Sequence, residues 1–366
     1  MANRLRKRVG EWTVFRMKNG KYQVGLIGAG GIALGEHLPG WRALTDVEVV
    51  AVADPSEAAI TRASEKYAIP QTFSDALDLL AIDDLDIVDI CTPNRAHAPI
   101  ALAALERRLH VLCEKPLATT SAEVLQLQEA SRRMGKMLMT AHHFRFRPIC
   151  QQLKALVLEN IVGDIYYTRA QWLRRRMVPA RPTFISSSVS GGGSCMDIGV
   201  HVLDLAMWLM GSPQPVGVSA IADAYLAHRP DITGTWGDWD RHAFDVEDFA
   251  AGFVKFADGS ALVLESSWLA FQPENETTRI QCYGRRGGLL FPDGIVTGES
   301  GRVPWTMKLE APTPEPNAWA AEIAAFMNAL RDGRPSPVPV EETLNVIRVL
   351  EAFYASAKSG REIVLG

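Results

Sequence analysis

The sequence predicts an α/β chain of two domains, with a parallel sheet interleaved with helices in its first half. Three observations carry this expectation. An apolar run, Tyr22 to Ile27, ends in closely spaced glycines and leads into an apolar helical pattern. Strand-like and helix-like segments then alternate as far as Ala141, the pattern of βαβ units. Past that point strand-like segments dominate until two helical segments close the chain. A length of 366 residues exceeds the usual single-domain size, so the boundaries are expected at 21–142 and 143–366, after a polar leader at 1–20.

The first element is YQVGLIGAGGIA, Tyr22 to Ala33, read as strand, tight turn and helix. Gly28, Gly30 and Ala33 occupy the G-x-G-x-x-G/A positions, where the chain turns sharply, a pyrophosphate approaches the backbone and the helix packs against the strand. The open helix N-terminus suits negative charge. Gly28, Gly30, Gly31 and Ile32 are thus candidate cofactor contacts. A second apolar strand, VEVVAVADPS, ends in Asp54, whose carboxylate can accept hydrogen bonds from ribose hydroxyls and repel a 2′-phosphate. NAD is favoured and NADP remains possible. Asp-Pro is also an ordinary turn and helix-start signal, so Asp54 can serve both purposes.

Next come a helix over Glu57 to Lys66, a short strand near Thr72, a helix over Asp75 to Leu80 and the strand Leu85 to Pro93. An Ala-rich helix from Ala96 to Arg108, the strand His110 to Pro116, a helix over Ser121 to Met134 and the strand Met137 to Ala141 complete the alternation. Ligands of such sheets bind beyond the carboxyl ends of the strands, which singles out Thr92, Pro93, Asn94, Glu114 and Lys115. His97 is read as a cleft residue, a cap or a surface side chain.

Composition narrows the partners. A formal net charge of −4 gives no basic footprint for nucleic acid. No apolar run approaches the roughly 20 residues needed to cross a bilayer, and no signal-type apolar region follows the basic start, so a cytoplasmic protein is expected. Arg4, Arg6, Lys7 and Arg8 read as a solvated arm or a subunit contact. The five cysteines are scattered, odd in number and without a C-x-x-C pair, which argues against a disulfide framework or a thiolate metal site and fits a reducing compartment. No metal is expected.

At ICTPNRAHAPIALAALERRLHVLCEKPLATT, with Glu114-Lys115-Pro116 as its clearest mark, the sequence resembles the glucose-fructose oxidoreductase / inositol dehydrogenase / MocA (Gfo/Idh/MocA) family. The resemblance continues through AHHFRFRP (Ala141 to Pro148), GGGSCMDIGVHVLD (Gly191 to Asp204) and FDVEDFAAGFVKFADGSALVLESSW (Phe244 to Trp268). It implies an N-terminal Rossmann dinucleotide-binding domain and a C-terminal α/β domain built on a large, mostly antiparallel open sheet. Asp164 to Arg175, Pro215 to Leu226, Phe244 to Trp268 and Thr278 to Phe291 have the composition of strands, and Ala257 to Ser260 marks a hairpin turn. The last helices, Trp319 to Leu330 and Glu341 to Ser359, are expected to pack across both domains. A homo-oligomer, dimer or tetramer, is implied by the resemblance alone.

A dehydrogenase acting on an alcohol must remove the hydroxyl proton and stabilise developing oxygen charge. In GGGSCMDIGVHVLD a glycine turn opens a helix bearing Asp197 and His201 four residues apart, on one face. The resemblance assigns Lys115, Asp197 and His201 to catalysis, opposite the nicotinamide. His201 is read as the general acid/base because an ordinary histidine titrates near neutrality. Lys115 is read as the stabiliser of the oxygen, or as the base itself, and Asp197 as the group that orients both. His143, Arg147 and Trp172 are candidate substrate contacts. The cluster Arg174, Arg175, Arg176 and Arg181 reads as a solvated or interfacial strand, or as a feature favouring an anionic sugar. The leading expectation is an NAD(P)-dependent oxidoreductase acting on a sugar, polyol or sugar derivative. The alternatives are an NAD-dependent glycoside hydrolase of the same family and a dinucleotide-binding sensor.

Overall fold

The computed structural model describes residues 20–366; the basic run Arg4 to Arg8 lies outside them. The first sheet contains β1 (Tyr22–Ile27), β2 (Val47–Ala53), β3 (Gln71–Phe73), β4 (Ile87–Ile90), β5 (His110–Glu114) and β6 (Leu138–Ala141). Its order is β3-β2-β1-β4-β5-β6 and every pairing is parallel. β1, β4, β5 and β6 are buried along their whole length, which is why they read as unbroken apolar runs rather than alternating ones.

The helices between them start and stop on local chemistry. A π-helical turn (Ala33–His37) runs directly into α1 (Leu38–Arg42). The Ser56 side chain caps α2 (Glu57–Tyr67), and Asp75 caps α3 (Ala76–Leu79). After α4 (Asn94–Glu106) comes α5 (Ser121–Met134), which opens on a Thr120/Glu123 capping box and stops at Gly135 in the left-handed conformation.

A 3₁₀ turn (His143–Phe146) and α6 (Pro148–Leu158) lead into the second domain. Its elements are β7 (Ile165–Arg174), α7 (Pro182–Ile185), α8 (Ser187–Ser190), a π-helical turn (Cys195–Gly199) continuous with α9 (Val200–Leu209), β8 (Pro215–Asp223), β9 (Phe249–Phe256) and β10 (Ala261–Ser267). They are followed by β11 (Glu276–Gly284), β12 (Gly287–Phe291), β13 (Ile295–Ser300), β14 (Val303–Lys308), α10 (Ala318–Arg331), α11 (Val340–Ser359) and β15 (Ile363–Val364). The nine-stranded sheet has the order β14-β13-β12-β11-β7-β10-β9-β8-β15, antiparallel except for β7 beside β10. The segment from Thr278 to Phe291 is two strands, folded back so that Ile280 faces Phe291 and Tyr283 faces Gly288. β14 is the edge strand and is largely exposed, and β13 beside it buries only Val296, so neither carries an alternating apolar pattern.

α10 lies on the first domain: Ile323, Phe326 and Met327 join Tyr22, Val24, Trp41 and Ile87 in one buried cluster. α11 packs on β8 and α5, so the end of the chain touches both sheets' layers. Burying a large apolar side chain of this kind contributes about 1.5–3 kcal/mol.

Candidate active site

The order β3-β2-β1-β4 reverses direction between β1 and β4, and the loops after these strands open on one crevice. Gly28 has φ +93°, and a Cβ there would lie 2.6 Å from the Cys91 carbonyl oxygen. Only glycine allows the end of β1 to approach the end of β4 so closely. Gly30 and Gly31 face open space. Asp54 accepts the Ala29 N–H at 2.8 Å on one carboxylate oxygen and the Ser56 N–H at 2.8 Å on the other. It therefore ties the glycine loop to the end of β2 and starts the turn into α2.

A cavity of about 730 Å³ follows this crevice, and Gly28, Gly30, Gly31, Ile32, Asp54, Thr92, Pro93 and Asn94 all line it. The Thr92 hydroxyl is buried with no hydrogen-bond partner. Open backbone at the glycine loop, an acid at the far wall and an orphaned hydroxyl between them fit a dinucleotide. His97 does not line the cavity. It is buried inside α4, its ring nitrogens 2.7 Å from the Pro116 and Thr92 carbonyls, and so joins the loop after β4 to the segment after β5.

A second cavity of about 600 Å³ shares Ile32, Thr92, Asn94 and Phe184 with the first and holds Glu114, Lys115, His143, Arg147, Trp172, Asp197 and His201 in its wall. Lys115 follows β5, at a cis Lys115–Pro116 bond, and reaches into the other domain. Its Nζ donates to the Asp197 carbonyl at 2.8 Å and to the Asp197 carboxylate at 3.3 Å. The other carboxylate oxygen accepts the Trp268 indole N–H at 3.1 Å.

Both oxygens of Asp197 are thus engaged, and its carboxylate orients Lys115 rather than His201. The His201 ring is held by packing instead: its centroid lies 5.2 Å from Phe144, 5.0 Å from His143 and 5.5 Å from Trp172, and its Nδ1 is buried without a partner. Burial, and then the positive charge of Lys115, push its pKa well below the ordinary 6.5. His201 is therefore a neutral imidazole near pH 7, not a group titrating there. His143 stacks on Trp319 at 4.0 Å, and burial brings its pKa down to about 3.

Beneath Lys115 lies a buried charge network in which sequence patterns marked only Glu114. Glu114 accepts the Lys115 backbone N–H at 3.0 Å and pairs through its other oxygen with His37 Nε2 at 3.0 Å. His37 Nδ1 pairs with Asp89 at 2.8 Å, and Asp89 also accepts the Trp41 indole N–H at 2.7 Å. Burial opposes the charge on His37, but Asp89 outweighs it and holds the pKa well above 6.5. Burial would likewise raise Glu114, yet the hydrogen bond and charge of His37 bring it down to about 2. His37 is a cation between two carboxylates. The only hint in the sequence is a histidine on the apolar glycine helix.

The glycine turn before Asp197 is clamped from behind. Glu247 accepts the Gly193 and Cys195 N–H groups, each at 2.8 Å, and the Tyr354 hydroxyl at 3.0 Å. A Cβ on Gly193 would lie 2.0 Å from the Glu247 carbonyl oxygen. Glu247 thus takes the place of a helix N-cap for the turn that carries Asp197.

Two family descriptions cover this arrangement: an oxidoreductase family NAD-binding Rossmann fold over residues 22–142 and the same family's C-terminal alpha/beta domain over residues 154–365. The chain belongs to the Gfo/Idh/MocA oxidoreductase family. It is an oxidoreductase with an NAD-binding Rossmann domain. Among Gfo/Idh/MocA relatives, the D-glucoside 3-dehydrogenase of Escherichia coli (strain K12) is 33% identical over 95% of this chain and 99% of its own. The myo-inositol 2-dehydrogenase of Thermotoga maritima is 24% identical over 94% and 98%. A solved structure of levoglucosan dehydrogenase with NADH and levoglucosan shares the fold, at a TM-score of 0.81 and 22% identity over 94% of this chain and 99% of that one. No helix among the described residues is long and apolar enough to cross a membrane.

Proposed function

We propose that this protein oxidises a secondary hydroxyl of a neutral sugar or glycoside, with Lys115, Asp197 and His201 as its catalytic residues. One observation carries the reading. An ammonium fixed across the domain boundary by Asp197 and a neutral imidazole open on one cavity continuous with the dinucleotide crevice. NAD, when bound, supplies the acceptor for the electron pair leaving the carbon. Gly28, Gly30, Gly31 and Ile32 would hold its phosphates, Asp54 a ribose, and Thr92, Pro93 and Asn94 the stretch towards the nicotinamide.

His201 accepts the hydroxyl proton, since it is neutral at working pH and its buried Nδ1 leaves Nε2 for the substrate. Lys115 donates to the reacting oxygen and stabilises its negative charge. Asp197 holds that ammonium in place. The similarity to a D-glucoside 3-dehydrogenase supports a ring hydroxyl as the reacting group. The charge balance supports a neutral substrate: Lys115 is paired with Asp197, Arg147 with Glu315 at 2.9 Å and Arg174 with Glu276 at 2.7 Å.

The test follows NADH absorbance over a panel of methyl glycosides, free aldoses, inositols and sugar acids. Steady NADH formation with neutral pyranosides is expected, and Lys115→Met and His201→Ala should each lower turnover by about two to four orders of magnitude with NAD affinity retained. Near-normal turnover in either variant removes that residue from the mechanism. Sugar acids as the preferred substrates would overturn the neutral-substrate reading. Five free, buried cysteines support a reducing, cytoplasmic setting. The open sheet face, with Ile221 and Phe253 exposed, supports a homo-oligomer, which light scattering on the purified protein would test.

A further inference from the structure

The outer end of the catalytic cavity holds a feature that hydroxyl oxidation does not require. Trp236, in the connection between β8 and β9, lines the cavity while 55% exposed. A large indole left in solvent costs apolar exposure unless something covers it. It is also held still. Gly234 and Gly237 bridge to close a tight turn, and Gly237 has φ +108°, which a side chain would strain. Thr235 donates both its N–H and its hydroxyl to the Arg176 carbonyl, each at 2.7 Å, which pins the turn to the chain just beyond β7.

A stack links this turn to the catalytic ring. The Arg174 guanidinium lies 4.9 Å from the Trp236 ring and 5.2 Å from the Trp172 ring, and Trp172 lies 5.5 Å from His201. Glu276 fixes the middle of the stack, accepting both Arg174 Nε and the Trp172 indole N–H at 2.7 Å. The sequence His201, Trp172, Arg174, Trp236 runs from the proton acceptor to the surface. All four side chains line the same cavity of about 600 Å³.

We propose that Trp236, backed by the Arg174–Glu276 pair, is a subsite for the second ring of a neutral glycoside. Sugar rings present C–H faces that pack on an indole, and the Arg174 guanidinium, 4.9 Å from the Trp236 ring and paired with Glu276, backs that indole. Glu276 neutralises Arg174, the cation that lies over the Trp236 ring. The subsite rests on the reading of the inner site as a sugar-hydroxyl oxidation centre. It assigns this protein to glycosides of at least two rings rather than to free monosaccharides.

The test measures kcat/KM by NADH formation for methyl glucosides and for disaccharides, using the full chain and its Trp236→Ala and Trp236→Phe variants. Trp236→Ala should lower kcat/KM for disaccharides roughly tenfold and leave methyl glucosides within about twofold, with Trp236→Phe recovering most of the loss. An equal loss on both substrates, or none on disaccharides, overturns the subsite while the inner site stands. Absence of NADH from every sugar in the wild-type protein overturns the oxidation reading and the subsite with it.

Discussion

The side chains that do the chemistry depend on neighbours that set their charge. His201 is kept neutral by burial and by Lys115, so the acid limb of kcat/KM should lie well below pH 6.5, activity falling only as pH drops through the lowered pKa. A limb at or above 6.5 would show that His201 is not the acceptor. His37 and Glu114 make a prediction about stability. The raised His37 contributes fully below its ordinary 6.5, and its contribution fades as pH rises through its folded-state value. Glu114, lowered from 4.5 to about 2, contributes fully above 4.5 and loses its contribution towards pH 2. Both are therefore present between roughly pH 4.5 and 6.5. Replacing His37→Gln leaves two buried carboxylates without their cation and should cost about 3–5 kcal/mol in urea unfolding, most in that window. A deficit that grew with rising pH instead would refute the buried cation.

Among the elements, the turn and helix carrying Asp197 and His201 matter most. Their π-helical start leaves backbone donors that Glu247 satisfies, with Tyr354 of α11 steadying the carboxylate. Glu247→Ala should lower kcat far more than it changes KM, since Asp197 and Lys115 lose their placement while the cavity walls remain. Glu247→Gln should recover part of the rate, keeping one acceptor oxygen. Comparable rates in all three proteins would make the clamp irrelevant to catalysis. Gly193→Ala forces a side chain into the Glu247 carbonyl and should be at least as damaging.

Across the whole molecule, the two domains are joined by charge as well as by apolar packing. Arg145, 2% exposed, pairs through Nη2 with Asp204 of α9 at 2.6 Å and through Nη1 with Glu342 of α11. It thus holds the turn after β6 against both the catalytic helix and the closing helix. Arg145→Met should cost about 3–5 kcal/mol, because buried Asp204 keeps only the His142 ring, 3.4 Å away, and loses its guanidinium. The same variant should shift the unfolding of both domains together when followed by calorimetry; independent domain transitions would contradict a single cooperative unit.

Local sequence alone determined a good deal here. The glycine spacing, the apolar strands, the caps and the E-K-P segment gave the first domain and a dinucleotide site, because turns, helix ends and buried strands are decided within a few residues. The tertiary structure decided the partners. Asp197 serves Lys115, 82 residues away, and not the His201 beside it on its own helix; Trp268 takes the carboxylate's other oxygen. His37, Asp89, Tyr354 and Trp236 carry no motif of their own, Glu247 sits in a motif segment with no role readable from it, and β13 and β14 have no alternating pattern. Their roles arise from contacts across sheets and domains, where burial and the charge of a distant neighbour set the state of each group, and no local window of sequence contains both.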